Sequence, residues 1–384
     1  MKCLEEYKKI YGADALDVSF CPYRICPIGA HSDHNLGKIT GFAVDKGINI
    51  AYGISDNEII VNSLNFENQY KWKLDVDKKN NDWADYLRGA TYYLNKYHNL
   101  SKTIQCVIEG SIPVGGLSSS AAIIISFIMA LCKVNDIKLT QSELINIAYQ
   151  AENLFVGVKV GKLDQSCEVL CKKDHLLYLD TKDDSYELIK KPEHMKDFRV
   201  LVLYSGLEHS LLSSGFNNRV DELKQAASML AKYAGINKDD VLCRDVKRDI
   251  FEKYKDKLPE NLKLRATHWY GEYERVEKGA LAFKDGDIEE YGRLSFESGY
   301  SSINNWQTGA IEQIKLYELM KHTKGIYGGR FSGAGFKGSC IALVDPNYTE
   351  EIIYDISKEY LKCFPNLENK YQAFVCDTND GVKV

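Results

Sequence analysis

Residues 113–122 read PVGGLSSSAA, and the apolar run IIISFIMAL follows them at residues 123–131. The two glycines let the backbone turn tightly enough for its N–H groups to face an anion. The three serines fall at the expected start of a helix, where free N–H groups and the helix dipole favour negative charge. The stretch therefore predicts a phosphate loop that opens a buried helix. The residues expected to contact phosphate are Gly115, Gly116, Ser118, Ser119 and Ser120.

This loop differs from a Walker A sequence, because no Gly-Lys-Ser/Thr follows its glycines. Taken alone, the stretch fits equally well a tight turn followed by a serine N-cap, since serine is favoured at that position in any helix. The identity of the anion therefore depends on which residues surround this loop in the fold.

The composition is that of an ordinary globular protein, with 45% hydrophobic and 27% charged residues. The 384 residues are enough for two domains. Basic and acidic residues, 49 and 54 in number, are mixed along the chain and give a formal net charge of −5, so we expect no nucleic-acid partner. The N-terminus lacks the apolar core of a signal peptide, and the apolar run after Ser120 is too short for a bilayer. We therefore expect a cytoplasmic protein with no membrane partner.

The eleven cysteines include no C-x-x-C pair, so neither a zinc site nor a redox motif is predicted. Cys167 and Cys171 are four residues apart and are expected to pack on one helix face. Free thiols fit a reducing compartment.

The apolar pattern predicts an α+β protein of two domains. The polar segment 181–197 is the candidate linker between an N-terminal domain, residues 1–190, and a C-terminal domain, residues 191–384. The predicted elements are antiparallel strands within 39–62, a helix over 83–97, a helix over 142–155 capped by Thr140 or Ser142, a strand over 198–204, mainly helix over 217–324, a Gly-rich turn over 325–338 and a strand over 340–344.

Residues 22–34, PYRICPIGAHSDH, place one guanidinium, two imidazoles and a carboxylate within eleven residues, next to a tight turn. Loops held by strands are where binding groups collect, so this segment is a candidate binding loop. An ion pair between Arg24 and Asp33 with a purely structural role is an equally good interpretation.

Two further acids, Glu152 and Asp164, are separated by a bend that ends at Gly161. A helix end and a following turn can bring two such carboxylates to one cavity, where one holds Mg²⁺ and the other takes a proton, as in phosphoryl transfer. The alternative is a pair of solvated acids without a shared role.

Two weaker signals complete the set. Five glycines within residues 328–338 would allow a backbone to approach a ligand closely, although hairpins use glycine too. Trp83 and Tyr86 lie at helical spacing, a pattern that is more typical of a core than of a base-stacking site.

Taken together and in order, these segments resemble the GHMP small-molecule kinases, and within them the galactokinases. Segment 24–34 resembles the galactokinase sugar signature, 113–121 the second GHMP motif and 329–340 the third, and the resemblance runs from about residue 20 to residue 345. It implies an N-terminal domain like ribosomal protein S5 domain 2, a ferredoxin-like C-terminal domain, and an active site between them.

The resemblance also implies an activity, the ATP-dependent phosphorylation of a sugar at its anomeric hydroxyl with Mg²⁺. Asp164 matches the catalytic aspartate of the family and Arg24 the arginine beside it. Ser120 and Glu152 match the Mg²⁺ positions. The remaining matches are Trp83 near adenine, residues 115–120 around the phosphates, and His31, Asp33 and Gly161 at the sugar.

This chain departs from the galactokinases near the sugar. Ala30 stands where galactokinases carry Glu, Lys337 where they carry Gly, and Phe216 where a sugar-contacting Tyr is usual; His34 also replaces a tyrosine. The second motif is one residue shorter between Pro113 and Leu117.

Charge accounts for two of these departures. A carboxylate at C6 of the sugar would be repelled by the usual Glu, which Ala30 removes, and Lys337 could attract it. The segments around both residues resemble the galacturonokinases of plants, which predicts a hexuronic acid as substrate. The alternatives are galactose itself, or a non-catalytic sugar-sensing regulator of the same fold. Monomer and homodimer stay open.

Overall fold

The computed structural model of the protein describes residues 1–112, 115–207, 215–336 and 338–384. Its first half contains, in order, α1 (Lys2–Tyr11), β1 (Asp17–Ile25), β2 (Lys38–Ser55), β3 (Ile59–Ser63), β4 (Tyr70–Trp72), α2 (Asp85–His98), β5 (Thr103–Gly110), α3 (Ser119–Val134), α4 (Gln141–Gln150), α5 (Leu163–Leu170), β6 (His175–Asp180) and β7 (Ser185–Lys190). Its second half contains β8 (Arg199–Tyr204), α6 (Phe216–Ala234), α7 (Arg248–Tyr254), α8 (Glu260–Lys284), α9 (Ile288–Ser301), α10 (Ile311–His322), β9 (Ile326–Phe331), β10 (Ser339–Val344), α11 (Thr349–Cys363), β11 (Gln372–Cys376) and β12 (Thr378–Asn379).

In the described residues these strands form two sheets. The first has the order β4-β3-β5-β2-β6-β7, and both β1 and β12 also pair with β2. The second has the order β11-β8-β10-β9, and its pairs are all antiparallel. The predicted α+β class is confirmed. Because β12 pairs with β2, the end of the chain adds to the first sheet; the division into residues 1–190 and 191–384 stays a prediction.

The long strand β2 organises the first sheet. We expected separate short strands between residues 39 and 62, but both apolar runs at 42–44 and 48–51 belong to this single strand. The polar break between them contains Asp45, which is simply exposed on the strand. Helix α3 packs against β1 and β2 and is apolar almost all round, as expected for a buried helix.

The two other helices predicted in the first half are also confirmed. The helix predicted over 83–97 is α2, and the one predicted over 142–155 is α4 followed by a π-helical turn over Ala151–Val156. Thr140 caps α4: its hydroxyl accepts the amide of Glu143, whose carboxylate accepts the amide of Thr140. The cap fixes where α4 begins, and Glu152 lies two residues after this helix ends at Gln150.

Two of the segments expected to be connections contain strands. The expected linker over 181–197 includes β7, a largely exposed edge strand whose polar residues face solvent, and its role as a domain boundary stays a prediction. The expected turn over 325–338 is wrong in its first half, which contains β9. The glycines of β9 serve close packing, because a Cβ on Gly328 would lie 2.1 Å from the carbonyl oxygen of Gly292 in α9.

All eleven cysteines lie in the described residues and are free thiols, and Cys363 alone is exposed. Cys167 and Cys171 pack in the same buried cluster, as predicted. In the part of the chain that the structure describes, no helix is long and apolar enough to cross a membrane.

Candidate active site

A cavity of about 420 Å³ opens between β1, the start of α3, the start of α5 and the loop after β9. Most of the predicted site residues line it, although their sequence positions span almost 200 residues. Glu152 lies just behind the wall, bonded to Ser120. Lys337 lies outside the described residues, as do Pro113 and Val114. The lining residues predicted from sequence are Arg24, Ala30, His31, Asp33, Trp83, Gly115, Gly116, Ser118, Ser119, Ser120, Gly161, Asp164 and Phe216.

Arg24 and Asp164 form an ion pair at the centre of the cavity wall. Both Nε and Nη2 of Arg24 lie 2.7 Å from Oδ1 of Asp164, and Nη1 donates to the Ser332 hydroxyl at 3.4 Å. Burial alone would lower the pKa of Arg24, but Asp164 raises it above its ordinary value. The structure therefore pairs Arg24 with Asp164 and not with Asp33, so the purely structural Arg24–Asp33 pair is excluded.

Glu152 is completely buried beside this pair. Its Oε1 accepts the Ser120 hydroxyl at 2.7 Å, and its Oε2 accepts the side-chain amide of Gln165 at 2.8 Å. Burial, and then the charge of Asp164, raise the pKa of Glu152 to about 7. The interpretation of Glu152 and Asp164 as two solvated acids is therefore wrong.

The Ser120 and Glu152 side chains fit a magnesium ion. Mg²⁺ commonly takes one or two protein oxygens and completes its shell with phosphate oxygens and water. A hydroxyl and a carboxylate 2.7 Å apart supply such a pair. A divalent cation at these oxygens would favour the charged carboxylate.

The phosphate loop is built for close backbone approach. Gly115 and Gly116 have φ of 148° and 86°, and a Cβ on Gly116 would lie 3.0 Å from the carbonyl oxygen of Ser332. Ser118 adopts a left-handed conformation directly before α3, and its buried hydroxyl has no partner in the described part of the chain. An unpaired buried donor at a helix start is what an anion would satisfy.

The sugar-signature loop, residues 28–34, is strained and tightly packed. Gly29 has φ of 111°, and a Cβ there would lie 2.6 Å from Cα of Ile39; His31 also has positive φ, at 64°. The Asp33 carboxylate accepts the amide of Leu163 at 3.2 Å. Gly161 admits this carboxylate, because a Cβ at Gly161 would lie only 2.2 Å from it. Burial and Asp164 raise the pKa of Asp33 to about 6.

Helix α8 holds this loop from the other side, through residues that the sequence analysis missed. The Glu272 carboxylate accepts the amide of Gly29 at 2.6 Å, His268 Nε2 lies 3.0 Å from the carbonyl of Ala30, and Trp269 Nε1 donates to the carbonyl of Ser32 at 3.0 Å. One signal was available: a histidine and a glutamate four apart interrupt the aromatic face of a predicted helix.

An aromatic cluster forms the base of the sugar loop. The rings of His31 and His34 stack on Trp306 at 5.2 and 5.5 Å, and Phe216 packs near both imidazoles. Burial lowers the pKa of His34 to about 3, so this imidazole is neutral. Trp306 was also missed, because a lone tryptophan in a long helical region carries no positional signal.

Trp83 lies at the opposite end of the cavity. Its ring stacks on Phe66 at 5.1 Å and meets the edge of Tyr70 at 5.4 Å. Its indole N–H is buried without a partner in the described residues. Trp83 is half-buried and faces the cavity while packing on the core, and its contact with adenine stays a prediction.

Comparison with known proteins identifies the group. The family model "GHMP kinases N terminal domain" matches residues 85–172. A galacturonokinase of Arabidopsis thaliana is 34% identical, covering 96% of this chain and 93% of its own, and a galactokinase of Clostridium acetobutylicum is 31% identical, covering 99% and 97%.

Solved structures agree with this at the level of the fold. Lactococcus lactis galactokinase complexed with galactose superposes with a TM-score of 0.89 at 24% identity, over 99% of this chain and 98% of that one. Methanococcus jannaschii mevalonate kinase superposes with a TM-score of 0.68 at 18% identity, over 94% and 98%. The predicted GHMP kinase fold is confirmed. The chain therefore belongs to the GHMP kinases, in the group of sugar kinases that contains the galacturonokinases and the galactokinases.

Proposed function

We propose that this sugar kinase phosphorylates a hexuronic acid, galacturonate, at its C1 hydroxyl and releases the sugar 1-phosphate and ADP. The ion pair of Arg24 with Asp164, next to the buried Ser120–Glu152 pair, is the observation that carries the kinase chemistry. The preference for a uronate rests on Ala30, which presents a methyl group to the cavity where galactokinases carry a carboxylate.

Asp164 orients the C1 hydroxyl and accepts its proton late in the reaction. A loose transition state requires little activation of the attacking oxygen, so early removal of the proton is not needed. Arg24 is held by Asp164 at 2.7 Å and by Ser332, so its guanidinium is positioned before substrate binds. It neutralises charge that develops on the transferred phosphoryl group.

The phosphate loop and the start of α3 would hold ATP, and Ser120 with Glu152 would hold Mg²⁺. When bound, MgATP supplies the γ-phosphoryl group and neutralises part of its charge. Gly115, Gly116 and the serines at 118–120 line this end of the cavity. Trp83 would contact the adenine.

The sugar would lie against residues 30–33, with Gly161 beside Asp33 and Phe216 beside His31. Asp33 is available to accept ring hydroxyls, and His31 lies beside it. A carboxylate at C6 meets no acidic side chain at Ala30, and Lys337 is the cation expected to attract it.

The test is a coupled ADP-release assay with galacturonate, galactose, glucuronate and arabinose. We expect the highest kcat/KM with galacturonate. Turnover of galactose far above that of galacturonate would make the protein a galactokinase and refute the charge argument at Ala30 and Lys337. Sugar- and ATP-dependent binding to another protein without any ADP formation would point to a regulator.

A matched pair of variants sharpens the assay. Ala30→Glu is expected to lower kcat/KM for galacturonate about tenfold or more, while galactose turnover is retained. Ala30→Gln has the same shape without the charge and serves as the control. An equal loss with both variants would mean that the size of residue 30, and not its charge, determines the choice of sugar.

A further inference from the structure

Most of the charged side chains that line the cavity are already paired. Arg24 forms its ion pair with Asp164. The Nη1 group of Arg88 donates to Asp82 at 2.7 Å and to Asp85 at 2.6 Å, and both of these carboxylates belong to the cavity wall. The charges of these residues are therefore engaged within the protein.

Lys79 is different, because its ammonium lines the cavity and forms no ion pair with the residues that the structure describes. Its Nζ donates to the carbonyl oxygen of Val156 at 3.3 Å and lies 3.9 Å from the position of a Cβ on Gly157. This bond uses one of the three N–H donors of the ammonium, and the residue is exposed. Two donors and the full positive charge are therefore available to a ligand in the cavity.

The position of Lys79 relates it to the nucleotide end of the cavity. Trp83, the expected adenine contact, follows it by four residues on the same loop between β4 and α2. Val156 ends the π-helical turn that carries Glu152, the expected Mg²⁺ ligand. An ATP molecule that extends from Trp83 to Glu152 therefore brings its phosphates toward the Lys79 ammonium.

The loop that carries Lys79 is fixed by its own hydrogen bonds. The buried Asp85 carboxylate accepts the amides of Asn80 and Asn81 at 2.9 and 2.7 Å. Lys79 directly precedes these two residues, so a ligand has to order little more than its side chain. A small ordering cost leaves more of the contact energy for binding.

The phosphate loop itself supplies no cation. It offers backbone N–H groups and serine hydroxyls, but it lacks the lysine that a Walker A loop carries. The phosphates of a nucleotide are highly charged, and an ammonium on a flexible stem is a common partner for them.

We propose that Lys79 binds the phosphates of the nucleotide and supplies the cation that the phosphate loop lacks. This inference rests on the proposed use of MgATP. It does not depend on which sugar accepts the phosphoryl group.

The test is the affinity of the whole protein for MgATP without sugar, measured by calorimetry. Lys79→Gln removes the charge but keeps a donor for Val156, and we expect it to raise Kd about tenfold. Lys79→Arg keeps the charge and should retain most of the affinity. Lys78→Gln is the matched control, because it makes the same change at an exposed neighbour that is not among the lining residues. An equal Kd for the wild type and Lys79→Gln would overturn the proposal.

Salt dependence and kinetics separate a role in binding charge from a purely structural role. Because salt screens an exposed charge, Kd of the wild type should rise more steeply with KCl than Kd of Lys79→Gln. In the ADP-release assay, this variant should raise KM for ATP about tenfold while kcat changes little. Parallel salt dependences, or a loss of kcat alone, would assign Lys79 to the support of Val156 and contradict the proposal.

A third comparison distinguishes the nucleotide from the sugar as the anion. The ratio of kcat/KM for galacturonate to that for galacturonamide should be the same in the wild type and in Lys79→Gln. A fall in this ratio with unchanged affinity for MgATP would place the ammonium at the sugar carboxylate, which is against the proposal.

The two hypotheses fail in different ways. If the wild type binds no MgATP and releases no ADP with any of the sugars, the proposed kinase function is wrong. If the wild type binds MgATP and Lys79→Gln binds it equally well, this inference alone is wrong.

Discussion

The two ends of the cavity are built in different ways. At the phosphate end, Arg24 contacts Asp164 and Ser120 contacts Glu152, each pair directly at 2.7 Å. At the sugar end, the loop 28–34 is held through its backbone by α8, whose residues lie 237 to 243 positions away along the chain. The side chain of Ala30 takes no part in that support.

Because the two ends are held in different ways, we expect changes at one end to affect the reaction and changes at the other to affect the choice of sugar. At the phosphate end, each side chain is fixed by another side chain of the site, so a change of one residue disturbs the reaction. At the sugar end, the backbone is fixed independently of Ala30, so residue 30 can change the charge of the pocket while the loop keeps its conformation. The same scaffold can therefore serve neutral and acidic sugars.

The largest effect is expected at the phosphate end. Asp164→Asn removes the group that we propose accepts the C1 proton, so we expect kcat to fall about 10²–10⁴-fold. Sugar affinity should change only a few-fold, because the amide keeps the shape of the carboxylate. ADP release and sugar binding measured by calorimetry check both statements.

Asp164→Glu is the matched control for this variant. It keeps the charge beside Arg24 but moves the carboxylate, so it should retain stability while still losing most of kcat. If the asparagine variant kept more than a tenth of wild-type kcat, the role assigned to Asp164 would be untenable.

The second effect is expected at the sugar end and concerns stability. Glu272→Gln leaves Arg330 and Arg275 without their shared carboxylate, and removing one partner of a buried ion pair costs about 3–5 kcal/mol. Urea unfolding should show this loss. Ser298→Ala removes two hydrogen bonds from the same cluster, to Glu272 and from Arg330, but no charge, and should cost only about 2 kcal/mol. Equal losses would mean that packing, and not charge, holds the loop.

The phosphate end could be predicted from the sequence because its residues lie in short motifs. The phosphate loop, the sugar signature and the Glu152–Asp164 interval each bring several chemical groups into one continuous stretch. These motifs come together in one cavity only because the chain folds, and the resemblance to the GHMP kinases predicted that fold.

The support of the sugar loop could not be predicted in this way. Glu272, His268 and Trp306 lie in a long helical region where no motif marks them, and their importance comes from contacts with residues far away in sequence. The strand β9 was missed for a related reason. Glycine indicates a turn in sequence, whereas Gly328 serves close packing against α9.

The third prediction separates the metal site from the catalytic pair. Glu152→Gln removes a predicted Mg²⁺ ligand, so we expect the Mg²⁺ concentration for half-maximal activity to rise about 10–100-fold, with a smaller loss of kcat at saturation. Gln165 can accommodate the new amide, because its own Oε1 has no partner in the described residues. A variant with unchanged Mg²⁺ dependence would remove Glu152 from the metal site.

The same variant has a pH signature. The pKa of Glu152, about 7 in the folded protein, lies above its ordinary value of 4.5. The folded state therefore binds the proton more tightly, and the free energy of unfolding falls as the pH rises from about 4.5 to 7. The Glu152→Gln variant lacks this titrating carboxyl group. Its stability relative to wild type should therefore improve between about pH 4.5 and pH 7 in Mg²⁺-free buffer. Added Mg²⁺ should reduce the difference. Parallel pH profiles would contradict the burial of an unneutralised carboxylate.

The smallest effect is expected where α6 supports the loop between the two ends. The Asn217 side chain accepts the amide of Lys159 at 3.0 Å and donates to the carbonyl of Gly157 at 3.2 Å, and this loop leads to Gly161 beneath Asp33. Asn217→Ala should cost about 1–2 kcal/mol of stability and raise KM for the sugar several-fold, with kcat nearly unchanged.

Asn218→Ala is the control for this change, since it makes the same truncation on the same helix, where the described residues show no side-chain hydrogen bond. The Lys159–Asp221 ion pair spans the same gap but is exposed, so Asp221→Asn should have an effect below about 1 kcal/mol. A fall in kcat with Asn217→Ala, and no change in KM, would mean that this loop serves the phosphate end and that the two ends are less separate than their contacts indicate.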